Sequence, residues 1–490
     1  MNYELIALAV MVCFIPFSLY VCHRLPRAAA ISVVVLAGSL FLPENTALLK
    51  PPVISAIDKE RLIYLCALAG ILAYHWRAFQ AARLGAGLEW TFLLIILSFL
   101  GTWAFNTEAI LNYGMMQQPL DIYWILARTG DDLLIFALPF VVGRIVFQSR
   151  ADLRILAYAL VGAGLLYVPL IGLEALLNIP FGVWRLGQVI YGLAPQPSVR
   201  WGGVQPAVLM DHSLEVASFM AVATIMAAAF AAAKSTVAWR GVRHAHLLTQ
   251  LGLLLTRVTT ANLYGLVFGI GLRVFSLKFS GKLAVIIAAA VCVYPAMRLA
   301  DVFPNEWLVE LARDLIGDDR ARSLEGRFLE EDFVFAGLGS RLWFGWGMFD
   351  RIPGAVTFGS NQDGLDSFMI IRVGMTGIVG SGILFLWLTI PVWMAWRRLR
   401  FVADRESQFL LVGLMLCISA RMVDFLMNGL FNFLPFFLAG ALYGIAKSIS
   451  KPVAGSDLLA RADLTKGPRP RSPIRRGAGR DAPAADASKR

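Results

Sequence analysis

The 490-residue sequence is 58% hydrophobic and only 16% charged, with a formal net charge of +11, whereas soluble domains are roughly one quarter charged. Apolar runs of about 18 to 25 residues recur from end to end, where a soluble core uses runs of about 4 to 8, and this excludes a water-soluble fold. Lys and Arg fall in short clusters between those runs and in one tail, which is a topological signature and excludes a nucleic-acid footprint.

The first apolar run has no basic segment before it and no small-residue cleavage site after it, so it reads as a retained first span. Thirteen runs suitable for spanning helices follow the chain near 5–22, 28–42, 62–76, 88–105, 131–147, 155–177, 213–233, 245–256, 258–277, 283–300, 367–394, 408–427 and 430–447. The stretch from Leu247 to Phe275 is too long for one helix of about 20 residues and short for two, so a turn is expected at Arg257, between Thr256 and Thr259. The five cysteines lie in or beside apolar runs, with no CxxC and no His at metal-ligand spacing; neither a disulfide framework nor a metal site is expected.

Alternate loops carry 17 cations, from Arg24 and Arg27 through Arg144, Arg150 and Arg154 to Arg397, Arg398, Arg400 and Arg405, and these loops are assigned to the cytoplasm together with the C-terminus. The predicted fold is all-α, a polytopic membrane domain over 1–450 with about 12–13 transmembrane helices. A main outer loop, 301–366, carries short helices, and a basic cytoplasmic tail, 451–490, rich in Pro, Gly, Ala and Arg, is expected to be disordered. No internal repeat supports a transporter built from duplicated halves.

Four longer segments fall on the outer side: 43–61, 106–130, 178–212 and 301–366. Of the 16 cations left for that side and the outer halves of the helices, 14 are Arg, the exceptions being Lys50 and Lys59. A guanidinium stays charged and grips phosphate oxygens with two parallel bonds, so the bias points to an anionic ligand, although a chain that is Arg-rich throughout gives the same count.

The run from Arg200 to His212 enters the span that starts near Ser213 and brings Arg200, Asp211 and His212 to the outer surface. His212 is the only outer imidazole; the Asp-His pair serves either chemistry or helix capping, with Asp accepting amide hydrogen bonds. In the main loop, Pro304 to Ile316 has the spacing of an amphipathic helix on the membrane surface. Arg320, Arg322, Arg327 and Arg341 follow, and then Gly345-Trp-Gly347, which allows the backbone to approach a ligand closely. Charges also occur inside the apolar runs. Arg421 and Asp424 are expected to form a structural ion pair at i, i+3, and Glu174 to face a cavity or another charge. Arg372, with Asp363 and Asp366 at the mouth of its span, is better placed for substrate. Arg128, Asp131 and Asp132 form a further group that serves either substrate or a local charge cluster.

Four stretches resemble the bacterial O-antigen ligase and polysaccharide polymerase superfamily: Arg200-Trp-Gly-Gly with Pro206 and His212; the Thr-Arg turn between Leu255 and Gly265; Gly326-Arg327 with Gly345-Trp-Gly347; and Asp366-Ser with Arg372-Val-Gly374. The resemblance implies an inner-membrane enzyme with its active site facing the periplasm. It would carry out metal-independent, inverting glycosyl transfer from an undecaprenyl-diphosphate-linked glycan without a cofactor, alongside a flippase and a chain-length regulator of the same pathway. Arg200, Arg327 and Arg372 are then expected on the diphosphate, His212 or Asp366 as the base, and Asp211, Arg257, Arg341 and Asp363 nearby. The absence of His from position 247 onward favours a polymerase of lipid-linked repeat units over a ligase that moves a finished glycan to lipid A or another acceptor. A transporter or flippase of an anionic lipid or solute is the alternative outside the family.

Overall fold

The computed structural model describes residues 3–44, 46–51, 55–85, 87–112, 114–181, 183–193, 198–234, 242–353, 365, 367–429 and 433–449. The basic tail expected over 451–490 therefore lies outside the described residues, as do Asp363 and Asp366.

In chain order the helices are α1 (Tyr3–Arg24), α2 (Arg27–Phe41), α3 (Lys59–Tyr74), α4 (Trp76–Ala82), α5 (Phe92–Ala104), α6 (Ile122–Asp132) and α7 (Leu138–Val146). There follow α8 (Arg150–Phe181), α9 (Leu186–Tyr191), α10 (Ser213–Ala233), α11 (Val242–Leu255), α12 (Thr259–Val274) and α13 (Leu277–Leu299). The last five are α14 (Asn305–Ile316), α15 (Asp318–Leu338), α16 (Phe368–Leu399), α17 (Arg405–Met427) and α18 (Leu434–Ser448). Strand structure among the described residues is limited to two short antiparallel ribbons, β1 (Ile110–Asn112) with β2 (Met115–Gln117) and β3 (Val199–Arg200) with β4 (Gly203–Val204).

Six helices, α1, α8, α10, α13, α16 and α17, are long and apolar enough to cross a membrane. The pair α3 and α4, bent by 101° at His75, makes a seventh if taken as one span. The protein is a membrane-embedded all-α protein. Burial sorts the spans: 94% of the apolar window is buried in both α10 and α17, against 33–39% in α1, α8 and α13. The first two are central and the other three present broad apolar faces to lipid. Between Phe219 and Ala233, α10 reads largely as alanine, and small side chains let neighbouring helices approach closely where lipid offers no hydrophobic drive.

Local chemistry fixes several boundaries. Asp121 caps α6 by accepting from Trp124 N (2.8 Å), so the helix begins nine residues before the Asp131 start read from the sequence. One π-helical turn, Leu133–Ala137, separates α6 from α7 and follows directly on the buried carboxylates Asp131 and Asp132. The expected turn at Arg257 is present: its φ of +58° ends α11 after 14 residues and lets α12 return for 16. The expected amphipathic helix in the main loop is α14, with Trp307 and Leu315 exposed.

Candidate functional site

The Arg200-Trp-Gly-Gly run folds as a two-residue hairpin. Trp201 (φ +52°) and Gly202 (φ +71°) are its central residues, and Arg200 pairs with Gly203. A side chain at Gly203 would occupy the space taken by the Arg257 guanidinium, which lies across the ribbon and donates Nη1 to the Val204 carbonyl (3.1 Å). Gln205, fully buried, links the ribbon to both neighbours: its amide nitrogen donates to the Arg257 carbonyl (2.9 Å) and its amide oxygen accepts from Ser213 Oγ (3.1 Å). The α11–α12 turn, the ribbon and the start of α10 are thus one unit.

Glu174, also fully buried, holds the rest of this loop. Its carboxylate accepts from the backbone N–H of Leu186 (3.2 Å), Ala207 (2.9 Å) and Val208 (3.0 Å), with Arg185 at 3.8 Å. Three amides meeting one carboxylate keep Val208, a β-branched residue, at φ +55°. The charge in that span therefore staples backbone.

His212 is the cap of α10: Leu214 N donates to its Nδ1 (3.1 Å). The imidazole is thus a capping acceptor, and with Nδ1 accepting, a neutral ring carries its hydrogen on Nε2. Asp211 lies within electrostatic reach of Glu215 one turn on, as do Glu44, Lys59 and Glu60. Lys59 is buried and paired with Glu44, while Glu60 and Glu215 keep partial access to water.

The opposite wall is α15. Arg298, at the end of α13, reaches Glu331 (3.0 Å), Asp332 (2.6 Å) and the Phe328 carbonyl (3.2 Å), and Tyr294 donates its hydroxyl to Glu331 (2.5 Å). Burial pushes the Glu331 carboxyl up to about 7, outweighing the Tyr294 and Arg298 contacts that favour its charge. This clamp holds α15, whose Arg320 and Arg327, two turns apart, lie within electrostatic reach of Arg200. Burial, and then the charges of Arg320 and Arg327, lower the pKa of Arg200. Among the described residues neither Arg200 nor Arg320 forms an ion pair.

Comparison of the chain with models of protein families and with curated proteins finds no match. What the site can do is read from its own side chains. Three guanidiniums gathered without a carboxylate on Arg200 or Arg320 repel one another, and an anion that accepts from all three removes that repulsion.

Arg372, expected on the diphosphate, is held by protein groups. Arg372 is buried and forks onto Asp132 (3.2 and 2.5 Å), with its guanidinium 5.1 Å from the Phe136 ring centre, so its terminal nitrogens are committed to protein. Arg372→Met is expected to destabilise by about 3–5 kcal/mol by stranding Asp132, and Arg372→Met with Asp132→Leu to recover most of it, as read by thermal unfolding in detergent. A diphosphate-binding role would instead leave stability unchanged in the single variant. Asp131 likewise holds Ser55 Oγ (2.6 Å), Arg61 (3.3 Å) and Arg128 (3.7 Å), a local cluster that ties the 43–61 segment to α6. Arg421 and Asp424 pair as expected, with Ser218 (2.8 Å) and Asn428 (2.5 Å) completing the acceptor's shell.

The Gly-Trp-Gly run approaches a backbone, but that of α16. Gly377, at φ +65° and ψ −171°, breaks that helix, and residues 342–347 insert into the gap. Trp346 N donates to Gly374 O (2.8 Å) and Gly347 N to Met375 O (2.8 Å), while Ile378 N and Val379 N donate to the carbonyls of Leu342 (3.0 Å) and Trp343 (3.2 Å). Arg341 stacks on Trp346 at 4.9 Å. The run thus locks into the break in α16.

Arg320, at i, i+7 from Arg327, has a spacing legible in the sequence, whereas Gln205, with partners 8 and 52 residues away, has no local sequence signal.

Proposed function

We propose that this protein is a polymerase of lipid-linked oligosaccharide repeat units, transferring glycans from an undecaprenyl-diphosphate donor. The reading includes about 12–13 crossings of a bacterial inner membrane, a cytoplasmic C-terminus and a site at the periplasmic face. The cation distribution supports this orientation. The observation that carries the proposal is that Arg320 and Arg327 lie within electrostatic reach of Arg200, which has no ion pair of its own. Cleaving a glycosyl-diphosphate bond releases a strongly anionic leaving group, and fixed guanidiniums stabilise the charge as it develops, with no metal needed for that task. His212 Nε2–H serves as a further donor. Among the described residues Glu215, one turn into α10, is the carboxylate suited to take the acceptor hydroxyl's proton, with Asp366 the alternative read from sequence.

The test is the glycan profile of a deletion strain carrying wild-type, Arg327→Ala or His212→Ala copies at equal membrane level. Long chains should vanish in the Arg327→Ala strain while single repeat units still reach their acceptor. Accumulation of long chains on the lipid carrier would identify a ligase instead, and an unchanged profile would point to transport.

A further inference from the structure

At the far ends of α13 and α16 from the Arg200 site, a groove of about 750 Å³ runs between Ser276–Lys282 and Trp396–Arg400. Lys278, Lys282, Arg397 and Arg400 line it, over a floor that includes Leu277, Phe279, Trp396 and Leu399. A second recess, of about 680 Å³, shares Ser276, Leu277 and Gln408 with it and adds Lys234, Arg273 and Arg405. The start of α13, capped by Ser276 on Phe279 N (3.3 Å), adds its positive helix end.

Four other cations at this end of the bundle are paired. Arg27 pairs with Asp152 (3.0 Å), Arg150 with Asp404 (3.1 Å) and Arg154 with Glu406 (2.8 Å), and Arg144 with Glu89. Among the described residues the cations of the two recesses form no ion pair; Arg397, Arg400 and Arg405 lie only over the rings of Trp393, Phe401 and Phe409. The two adjoining recesses thus gather seven cations without an ion pair among them. The groove begins where one candidate span starts, at Leu277, and where another stops, at Leu399, which is the depth of lipid head groups. Phe275 and Phe279, each about half exposed with rings 5.0 Å apart, offer an apolar surface beside the cations.

We propose that this groove is a binding site for an anionic phospholipid, its phosphate held by Lys278, Lys282, Arg397 and Arg400 and an acyl chain lying along the aromatic floor. Phosphate chemistry alone also fits a soluble anion, but the apolar floor and the membrane depth favour the lipid. The site is independent of the proposed glycosyl transfer.

Protein purified into nanodiscs of equal phosphatidylglycerol and phosphatidylcholine should, on release into detergent and native mass spectrometry, retain phosphatidylglycerol in preference. That preference should fall about tenfold or more in the variant Lys278→Gln, Lys282→Gln, Arg397→Gln, Arg400→Gln and persist in Arg150→Gln, Arg154→Gln. The charge-conserving variant Lys278→Arg, Lys282→Arg, Arg397→Lys, Arg400→Lys should elute as wild type and keep the preference, which guards against misreading a folding failure. Equal retention in the Gln variant, loss in the charge-conserving one, or removal of the lipid by millimolar inorganic phosphate would overturn the proposal.

Discussion

Arg200→Ala is expected to lower turnover of a polyprenyl-diphosphate-linked donor by roughly 10²–10³-fold, the range seen when one preorganised group that stabilises developing charge is removed. The loss should fall mainly on kcat, because the diphosphate gains negative charge as the glycosidic bond breaks and the guanidinium is needed most at that point. Arg200→Lys should recover only part of the rate, since an ammonium keeps the charge and loses the fork. The discriminating readout is stability. Arg200 lies within electrostatic reach of Arg320 and Arg327 without an ion pair of its own, so its removal relieves repulsion and the thermal midpoint should not fall below that of wild type. Turnover in nanodiscs and Tm are measured on the same preparation. A fall in both assigns Arg200 to structure, and unchanged turnover removes the three-arginine site.

Gly377→Ala is expected to destabilise by more than about 4 kcal/mol, enough to abolish accumulation of monodisperse protein. Two effects add. The conformation at φ +65°, ψ −171° is essentially restricted to glycine, and an added methyl group would collide with the Trp343 carbonyl, the backbone that fills the break in α16. Four hydrogen bonds between residues 342–347 and α16 depend on that close approach. Gly382 lies in the same helix, but a methyl group there meets nothing within 4 Å; Gly382→Ala should be neutral or stabilising by up to about 1 kcal/mol. Fluorescence-detected size exclusion with a thermal ramp compares the two. Equal behaviour would mean that the inserted run does not hold α16.

The features legible from the sequence are those whose cause is local. Apolar length marks the six helices long enough to span, out of thirteen runs read from the sequence, because lipid demands internally satisfied backbone over a fixed thickness. Arg257 is recognisable as a turn because the apolar stretch around it does not fit one helix. The Arg421–Asp424 pair follows from i, i+3 geometry on a buried helix, and α14 from its periodicity.

Only the tertiary structure decided which charges are free to meet a ligand. Arg372 finds Asp132 across 240 residues, and Gly-Trp-Gly finds the gap at Gly377. Arg298 clamps α15, whose Arg320 and Arg327 lie within electrostatic reach of Arg200, and His212 turns Nδ1 onto its own helix. Composition alone makes each of these residues an equal candidate for an anion, since a charge in an apolar chain must be paired or functional. Which it is depends on partners distant in sequence, or on the direction of a side chain, and neither has a period to read.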